Sequence, residues 1–466
     1  MAGACLEPDG DTMRRVGRQV MDMVVDLHAS PSGSLGDAVP DNVRAALRAA
    51  LLLPPPSRPL DFATVLNTFA AAASAGSSTM SPTAFDHIPT GGLYTSALAA
   101  FLAQGVNPFT GVAAGAPELV AMEQGVLLWL CREFGLPDTA GGVITTGGSL
   151  AGLTALVAAR HDRLGEQITG GTLYATTRTH HSIIKAARIA GLPADAVRLI
   201  PTDTDLRMDV AAADALIQAD RAAGRRPFLI IGTAGSTDTG TVDPLAGIAE
   251  LAARHGLWFH VDGAYGAAFQ LTDRGRARLT GIERADSIVM DPHKGFSLPF
   301  GTGVLLVART ESLRAAYALS GPYLPDPSTD PRLPDYSAVS LELTREFRGL
   351  RLWLPLHVHG TDSFSASLNE KLDLAQAAYE DLVADPYLDV PWPPDLSVVA
   401  FRPRTGDTGR FLYRLHATSP VALSATTIDG RLWIRLCVLS HRSHAVQVSQ
   451  ALTAIHLTAR SGPLTS

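Results

Sequence analysis

From Gly141 to Arg309 the chain alternates short apolar runs with longer helical ones, and no other feature of its 466 residues limits the fold as much. The runs GVITT, TLYATT, VRLI, FLIIGTAG, WFHVDGA, SIVMD and GVLLVAR read as strands. Between them SLAGLTALVAARHDRLG, SIIKAARIAG, a stretch from Asp209 to Gly224 and another from Pro244 read as helices. Strands joined by helices form a mostly parallel sheet covered on both faces, an α/β fold. Asp243 as N-cap, Pro244 as first helical residue and Gly256 as stop predict the bounds of one covering helix.

The flanks read differently. Val16, Val20, Val24 and Leu27 make one apolar stripe on a helix, and a second helix, Asp41 to Leu53, stops at three prolines. Residues 1–80 therefore read as a helical arm. Residues 81–352 form the large domain, and 353–466 a small C-terminal α+β domain. The latter holds a long helix from about Trp353, the strand SVVAF, a hairpin turning at Asp429-Gly430 between VALSATTI and RLWIRLCV, and a final helix. Residues 321–336, with five prolines, read as a linker or an active-site lid.

Composition removes several function classes. A net charge of -7 offers no broad positive field for nucleic acid or anionic lipid. Three cysteines with no CxxC pair build neither a disulfide framework nor a Cys-rich zinc site, which points to a reducing cytoplasm. The start, MAGACLEPDGDTMRR, lacks an apolar signal core, and no apolar run reaches the ~18 residues of a membrane span. Lysine occurs only at Lys185, Lys294 and Lys371, so chemistry that needs a deprotonatable amine has three candidates.

Four strand ends carry polar groups of interest. Lys294, in VMDPHKG, follows a strand at the place where parallel sheets put reactive groups. Asp262 ends the apolar strand WFHVD, and a carboxylate there needs a partner; with an amine at the next strand end, a protonated pyridine nitrogen suits it. TTGGSLAG is a Gly-rich turn opening a helix, so Gly148 and Ser149 can receive a phosphate. The same GGSLA is one residue short of a nucleophile elbow, which leaves a serine hydrolase reading through Ser149 open. His180 and His181 end a further strand, where an imidazole can stack on a ring or move a proton. The pairs His357/His359 and His441/His444 lack acidic or cysteine companions at ligand spacing, so no metal is expected.

In order along Pro82 to Arg442, NPF, APELVAMEQGVLLWL, TTGGSLAGLTALVAAR, THHSIIKAARIAGL, IIGTAGSTDTGTVDPL, WFHVDGAYG, ADSIVMDPHKG, DYSAVSLELTREFRGLRLW and LWIRLC resemble one family. It is the group II pyridoxal-phosphate-dependent decarboxylases of aromatic amino acids and glutamate. The resemblance implies fold-type I, pyridoxal 5'-phosphate, and a homodimer whose arms wrap the partner. By position, Lys294 would form the Schiff base with the cofactor aldehyde and Asp262 would hold the pyridine nitrogen protonated. Ala264 would lie beneath the ring, His180 above it, and Gly148 and Ser149 at the phosphate. Thr233 would sit near the ring, with His293 and Asp291 beside the lysine; Asp291 stands where some members carry Asn. Tyr336 matches the mobile-loop tyrosine that returns a proton after carbon dioxide leaves.

The resemblance also implies a substrate pocket from His87, Ile88, Pro89, Thr90, Phe109, Arg348 and Gly349. His87 and Ile88 replace aromatics of the aromatic-amino-acid members, Gly111 stands where those carry a pocket aromatic, and Gly263 where many have Ala. The long amino-terminal extension of animal glutamate decarboxylases is missing. The expectation is decarboxylation of an L-amino acid, aromatic in first place, to an amine. The alternatives are a glutamate- or diaminobutyrate-like substrate, an aldehyde-forming decarboxylase or lyase, and a homologue without activity.

Overall fold

The computed structural model describes residues 6–29, 40–76, 79–89, 91–319, 330 and 332–461. Each apolar run of the central region forms a strand: β1 (Gly141–Thr145), β2 (Gly171–Thr176), β3 (Val197–Ile200), β4 (Arg226–Thr233), β5 (Trp258–Asp262), β6 (Ser287–Met290) and β7 (Gly303–Val307). They make one seven-stranded sheet in the order β1-β7-β6-β5-β4-β2-β3. Both faces are covered, so β1, β2, β6 and β7 are buried at every position and read as continuous rather than alternating apolar runs. The sheet is parallel except for β7, which runs antiparallel to β1 and to β6. After β6 the chain makes one helical turn (Pro292–Gly295) and doubles back, without the covering helix that a parallel crossover requires.

Helix bounds follow the local chemistry. Asp209 accepts the Ala212 N–H at 3.0 Å and opens the helix Val210–Ala222. The helix after β4 begins one residue later than the sequence suggests, at Leu245, with Pro244 as its N-cap. Asp243 is no cap: its buried carboxylate accepts the N–H groups of Met208 and Thr233, each at 2.8 Å, and burial raises its pKa to about 6. Gly256 ends that helix in the left-handed conformation at φ 60.

The C-terminal part builds a second sheet from β8 (Leu388–Asp389), β9 (Val398–Pro403), β10 (Ser424–Ile428) and β11 (Arg431–Cys437), antiparallel in the order β10-β11-β9-β8. Asp429 and Gly430 turn the β10–β11 hairpin with φ of 49 and 74, the positive values of a type I′ turn. Phe401, Phe411, Leu415, Ile434, Leu436, Val448 and Ile455 form its core, and Phe85 joins them from far upstream. The long helix expected from Trp353 is two, Leu350–His359 and Thr361–Val383, broken at Gly360 with φ 74. At the N-terminal end, helices Gly10–Ala29, Asp41–Leu51 and Phe62–Ser74 bury none of their residues within the chain. No helix among the described residues is long and apolar enough to cross a membrane.

Candidate active site

At the end of the large sheet where its parallel strands finish, the loops surround a cavity of about 440 Å³. β1 delivers Gly147, Gly148 and Ser149; β4 delivers Thr233; β5 delivers Asp262 and Ala264; β6 delivers Asp291, His293 and Lys294. His180, four residues after β2, completes the group. Nine residues singled out in the sequence for the cofactor thus share one cavity.

Their geometry is specific. Lys294 Nζ lies 3.1 Å from Asp291 Oδ2, and His293 Nε2 lies 3.6 Å from the same oxygen. His293 is held by its Nδ1, 2.7 Å from the Thr302 carbonyl. Asp262 Oδ1 accepts the Ala264 N–H at 3.2 Å. His180 caps the helix His181–Ile189: the Ser182 N–H donates to its Nδ1 at 3.3 Å, and Ser182 Oγ sits 2.8 Å from the same nitrogen. With Nδ1 accepting, the ring proton belongs on Nε2. Burial pushes the His180 pKa below the ordinary imidazole value, with Asp262 opposing and Lys294 reinforcing the shift, so the ring is neutral near pH 7.

The turn after β1 is shaped for close approach. Gly147 has φ 150, Thr145 Oγ braces it by donating to its carbonyl at 3.0 Å, and the helix Gly148–Leu164 starts immediately after. A Cβ on Gly148 would stand 2.9 Å from Asp291 Oδ2, and one on Gly303 would stand 2.5 Å from the Gly147 backbone. The Gly148 and Ser149 amides at the start of that helix have no intrahelical acceptor, and both residues line the cavity, as an anion site requires. Thr233 Oγ, Asp291 Oδ1 and His260 Nε2 are buried without partners, and all three residues line the cavity. Buried polar atoms of this kind call for a ligand or water. A phosphorylated pyridine aldehyde fits: an amine, a carboxylate at a strand end, a small residue at 264, and a phosphate cradle.

Other expected site residues stand elsewhere. Tyr336 does not line the cavity; it is 0% exposed, its ring lies under the Arg345 guanidinium at 4.5 Å, and its hydroxyl is 3.5 Å from Gln124 Oε1. Burial and the Glu123 carboxylate raise its pKa well above that of a free phenol, the opposite of what a mobile acid needs. Arg348 is spent on Glu342, with contacts of 2.8 and 2.9 Å, and on Glu346. Gly349 faces Glu123, whose Cβ would be 2.6 Å from an added side-chain carbon. His87 is exposed and pairs with Asp86 at 2.7 Å, Ile88 is buried in the main core, Pro89 is half-buried and Phe109 is partly exposed. None of these six expected pocket residues lines this chain's cavity. Thr90 lies outside the described residues, as does most of 321–336. Gly111 cannot carry a side chain here, since a Cβ would meet the Leu343 carbonyl at 2.6 Å.

Sequence reasoning missed Arg178 and Thr237, which line the cavity. Arg178 is the one charged residue in TTRTHHS, a signal that was available. Among the described residues Ser149 makes no hydrogen bond to an imidazole, so the hydrolase arrangement lacks its base.

Comparison with known proteins gives the same reading. The family model described as the pyridoxal-dependent decarboxylase conserved domain matches residues 47–404. The chain is 31% identical over 373 residues to an aromatic-L-amino-acid decarboxylase of Bacillus atrophaeus, covering 78% of each. It is 35% identical over 353 residues to an L-2,4-diaminobutyrate decarboxylase of Rhizobium meliloti, covering 74% of this chain and 71% of that one. The crystal structure of Oryza sativa TDC with PLP and tryptamine superposes with a TM-score of 0.91 at 27% identity, over 98% of this chain and 99% of the other. The shared cavity, the order of its residues and these matches together make the chain a member of the pyridoxal-dependent decarboxylase family, a pyridoxal-phosphate-dependent amino-acid decarboxylase.

Proposed function

We propose that the chain decarboxylates an aromatic L-amino acid to its amine, in the cytoplasm, as a homodimer. The observation that carries the reaction is the convergence of Lys294, Asp262, His180 and the Gly148–Ser149 turn on one cavity. Gly148 and Ser149 would hold the cofactor's phosphate at the helix start, and Ala264 and His180 would flank its ring. Asp262 would face the ring nitrogen, and Lys294 would bind the aldehyde carbon. The bound cofactor supplies an electron sink for the electron pair left when carbon dioxide departs.

The remaining work falls to the chain. The Asp262 carboxylate would keep a positive charge favourable at the cofactor's ring nitrogen, because a buried carboxylate without a cation beside it is costly. Asp291 positions the Lys294 amine from 3.1 Å. His180, neutral and with its proton on Nε2, offers a donor that suits a substrate carboxylate. The Tyr336 hydroxyl is buried against Gln124, which favours another donor for the α-carbon proton. The proline-rich stretch has a second tyrosine, Tyr323, outside the described residues, so exchanging each for Phe in turn assigns the role.

The aromatic preference rests on the Bacillus and rice relatives, named for aromatic-L-amino-acid and tyrosine decarboxylation. A diaminobutyrate substrate is the second reading, favoured by the Rhizobium relative and by His87 and Ile88 in place of aromatics. Exposed Phe101, Leu102, Val106, Phe109, Leu341 and Leu343 support a dimer, as do arm helices that bury nothing within the chain. The test is incubation with pyridoxal phosphate and a panel of amino acids, scoring carbon dioxide, amine and peroxide. Amine from tyrosine, tryptophan or DOPA supports the proposal; amine from diaminobutyrate alone replaces the substrate, and peroxide with aldehyde replaces the product. Borohydride trapping that labels any residue but Lys294 overturns the site.

A further inference from the structure

The β10–β11 hairpin of the second sheet reaches across to the first and touches three segments around the cavity. At its tip, Asp429 accepts from Arg178 Nη2 at 3.0 Å, while Arg178 Nη1 donates to Asp238 at 3.2 Å. Arg178 lines the cavity, only 11% of its side chain is exposed, and its Nε is buried without a partner. Along β11, Arg435 donates from Nη1 to the Thr237 carbonyl, and Thr237 also lines the cavity. Arg435 Nη2 donates to Ser424 Oγ at 2.7 Å and to the Asp86 carbonyl at 3.2 Å, and Ser424 Oγ itself donates to that carbonyl. Asp86 immediately precedes His87 and Ile88. The upstream segment is stitched to the same sheet through Phe85, whose N–H donates to the Ala422 carbonyl at 2.9 Å and whose carbonyl accepts the Cys437 N–H at 3.0 Å.

These bonds have a common consequence. The loop 236–241 is internally tight, its ends joined by the Ser236 N–H on the Thr241 carbonyl at 2.8 Å and the Gly240 N–H on the Ser236 carbonyl at 2.9 Å. Arg435 grips it on one side and the Arg178–Asp238 pair on the other. The hairpin therefore sets both the cavity wall at Thr237 and the entry of the 86–89 segment. We propose that Arg178 and Arg435 are positioning residues through which the β10–β11 hairpin registers the substrate side of the cavity, with Asp429 the surface end of the device. The claim of a substrate side rests on the decarboxylase reading; the mechanical coupling does not.

The partners differ in exposure, which makes the coupling tunable. Asp429 has 82% of its side chain exposed, so its bond to Arg178 is weakened by salt and its removal leaves the fold intact. Hydrogen exchange measured by mass spectrometry on the full chain without cofactor tests the coupling directly. In Asp429→Asn, peptides spanning 234–242 and 82–89 should exchange about two- to five-fold faster, the range an exposed ion pair supports. In Arg178→Gln they should exchange faster still, and Arg178→Lys should recover part of the protection. Peptides over β5 and β6 should not change, and high salt should reproduce the Asp429→Asn pattern in the wild type. With cofactor, Asp429→Asn should raise KM by a similar factor at unchanged kcat and unchanged cofactor absorbance. Unaltered exchange at both segments in both variants overturns the proposal, as does a uniform rise that includes β5 and β6. A wild type that turns over no amino acid sinks the decarboxylase reading, while the exchange result still decides the coupling.

Discussion

Two lysines of this chain are drawn into the protein, and their surroundings differ in one respect. Lys371, on the helix Thr361–Val383, is 1% exposed; its Nζ donates to Glu370 at 2.7 Å and to the Ser443 carbonyl at 2.6 Å. Burial lowers its pKa and the Glu370 contact pulls the other way. Lys294 meets Asp291 at 3.1 Å and lines a cavity in which Thr233 Oγ, Asp291 Oδ1 and His260 Nε2 have no partner. Burial alone does not make an amine reactive. The satisfied lysine is a cross-link between helix and loop, and the lysine among unsatisfied groups is the one that awaits a ligand.

That contrast yields tests of decreasing size. Lys294→Ala should lower turnover by on the order of 10³-fold or more and abolish borohydride labelling, with little change in thermal midpoint. Asp262→Asn keeps the Oδ1 contact to Ala264 but removes the charge; kcat should fall by about 10²–10³-fold, as for a lost electrostatic stabiliser, measured with saturating cofactor. Lys371→Met should do the reverse of the first: it strands the buried Ser443 carbonyl and leaves Glu370 with His444 alone, costs about 1–3 kcal/mol in thermal unfolding, and leaves turnover per folded molecule unchanged. If it instead removed cofactor binding at an unaltered midpoint, the distinction between the two lysines would be lost. For His180, whose pKa is depressed, the neutral ring is present above that pKa and lost as pH falls through it; kcat/KM should therefore drop on an acid limb below pH 6.5, and His180→Gln should erase that limb. Tyr336→Phe should change kcat by less than about two-fold, since its hydroxyl makes one long contact to Gln124.

Much of the site was legible because its residues sit where simple patterns end. Asp262 closes an apolar strand and Lys294 follows the next, so strand ends located both without any contact information. Gly147 to Ser149 likewise announced a turn into a helix. The resemblance put Tyr336 on a mobile loop, whereas in the structure Arg345 covers its ring, and the Arg345–Glu123 pair at 0% exposure on both sides holds that ground. That pair joins residues over two hundred positions apart, and no local pattern reports it. Arg178 carried a local signal as the lone charge in TTRTHHS, but its partners did not: Asp238 and Asp429 come from a loop and from the tip of another sheet's hairpin.

The amino-acid sequence by itself determined the strand–helix alternation, the Asp429-Gly430 turn and the identity of the amine and carboxylate, because these depend on periodicity, backbone φ preference and side-chain chemistry within a few residues. Only the tertiary structure decided that β7 runs backwards beside β1, that Tyr336 is walled in, and that one hairpin braces the cavity loop, since each depends on which distant segments come to share a surface.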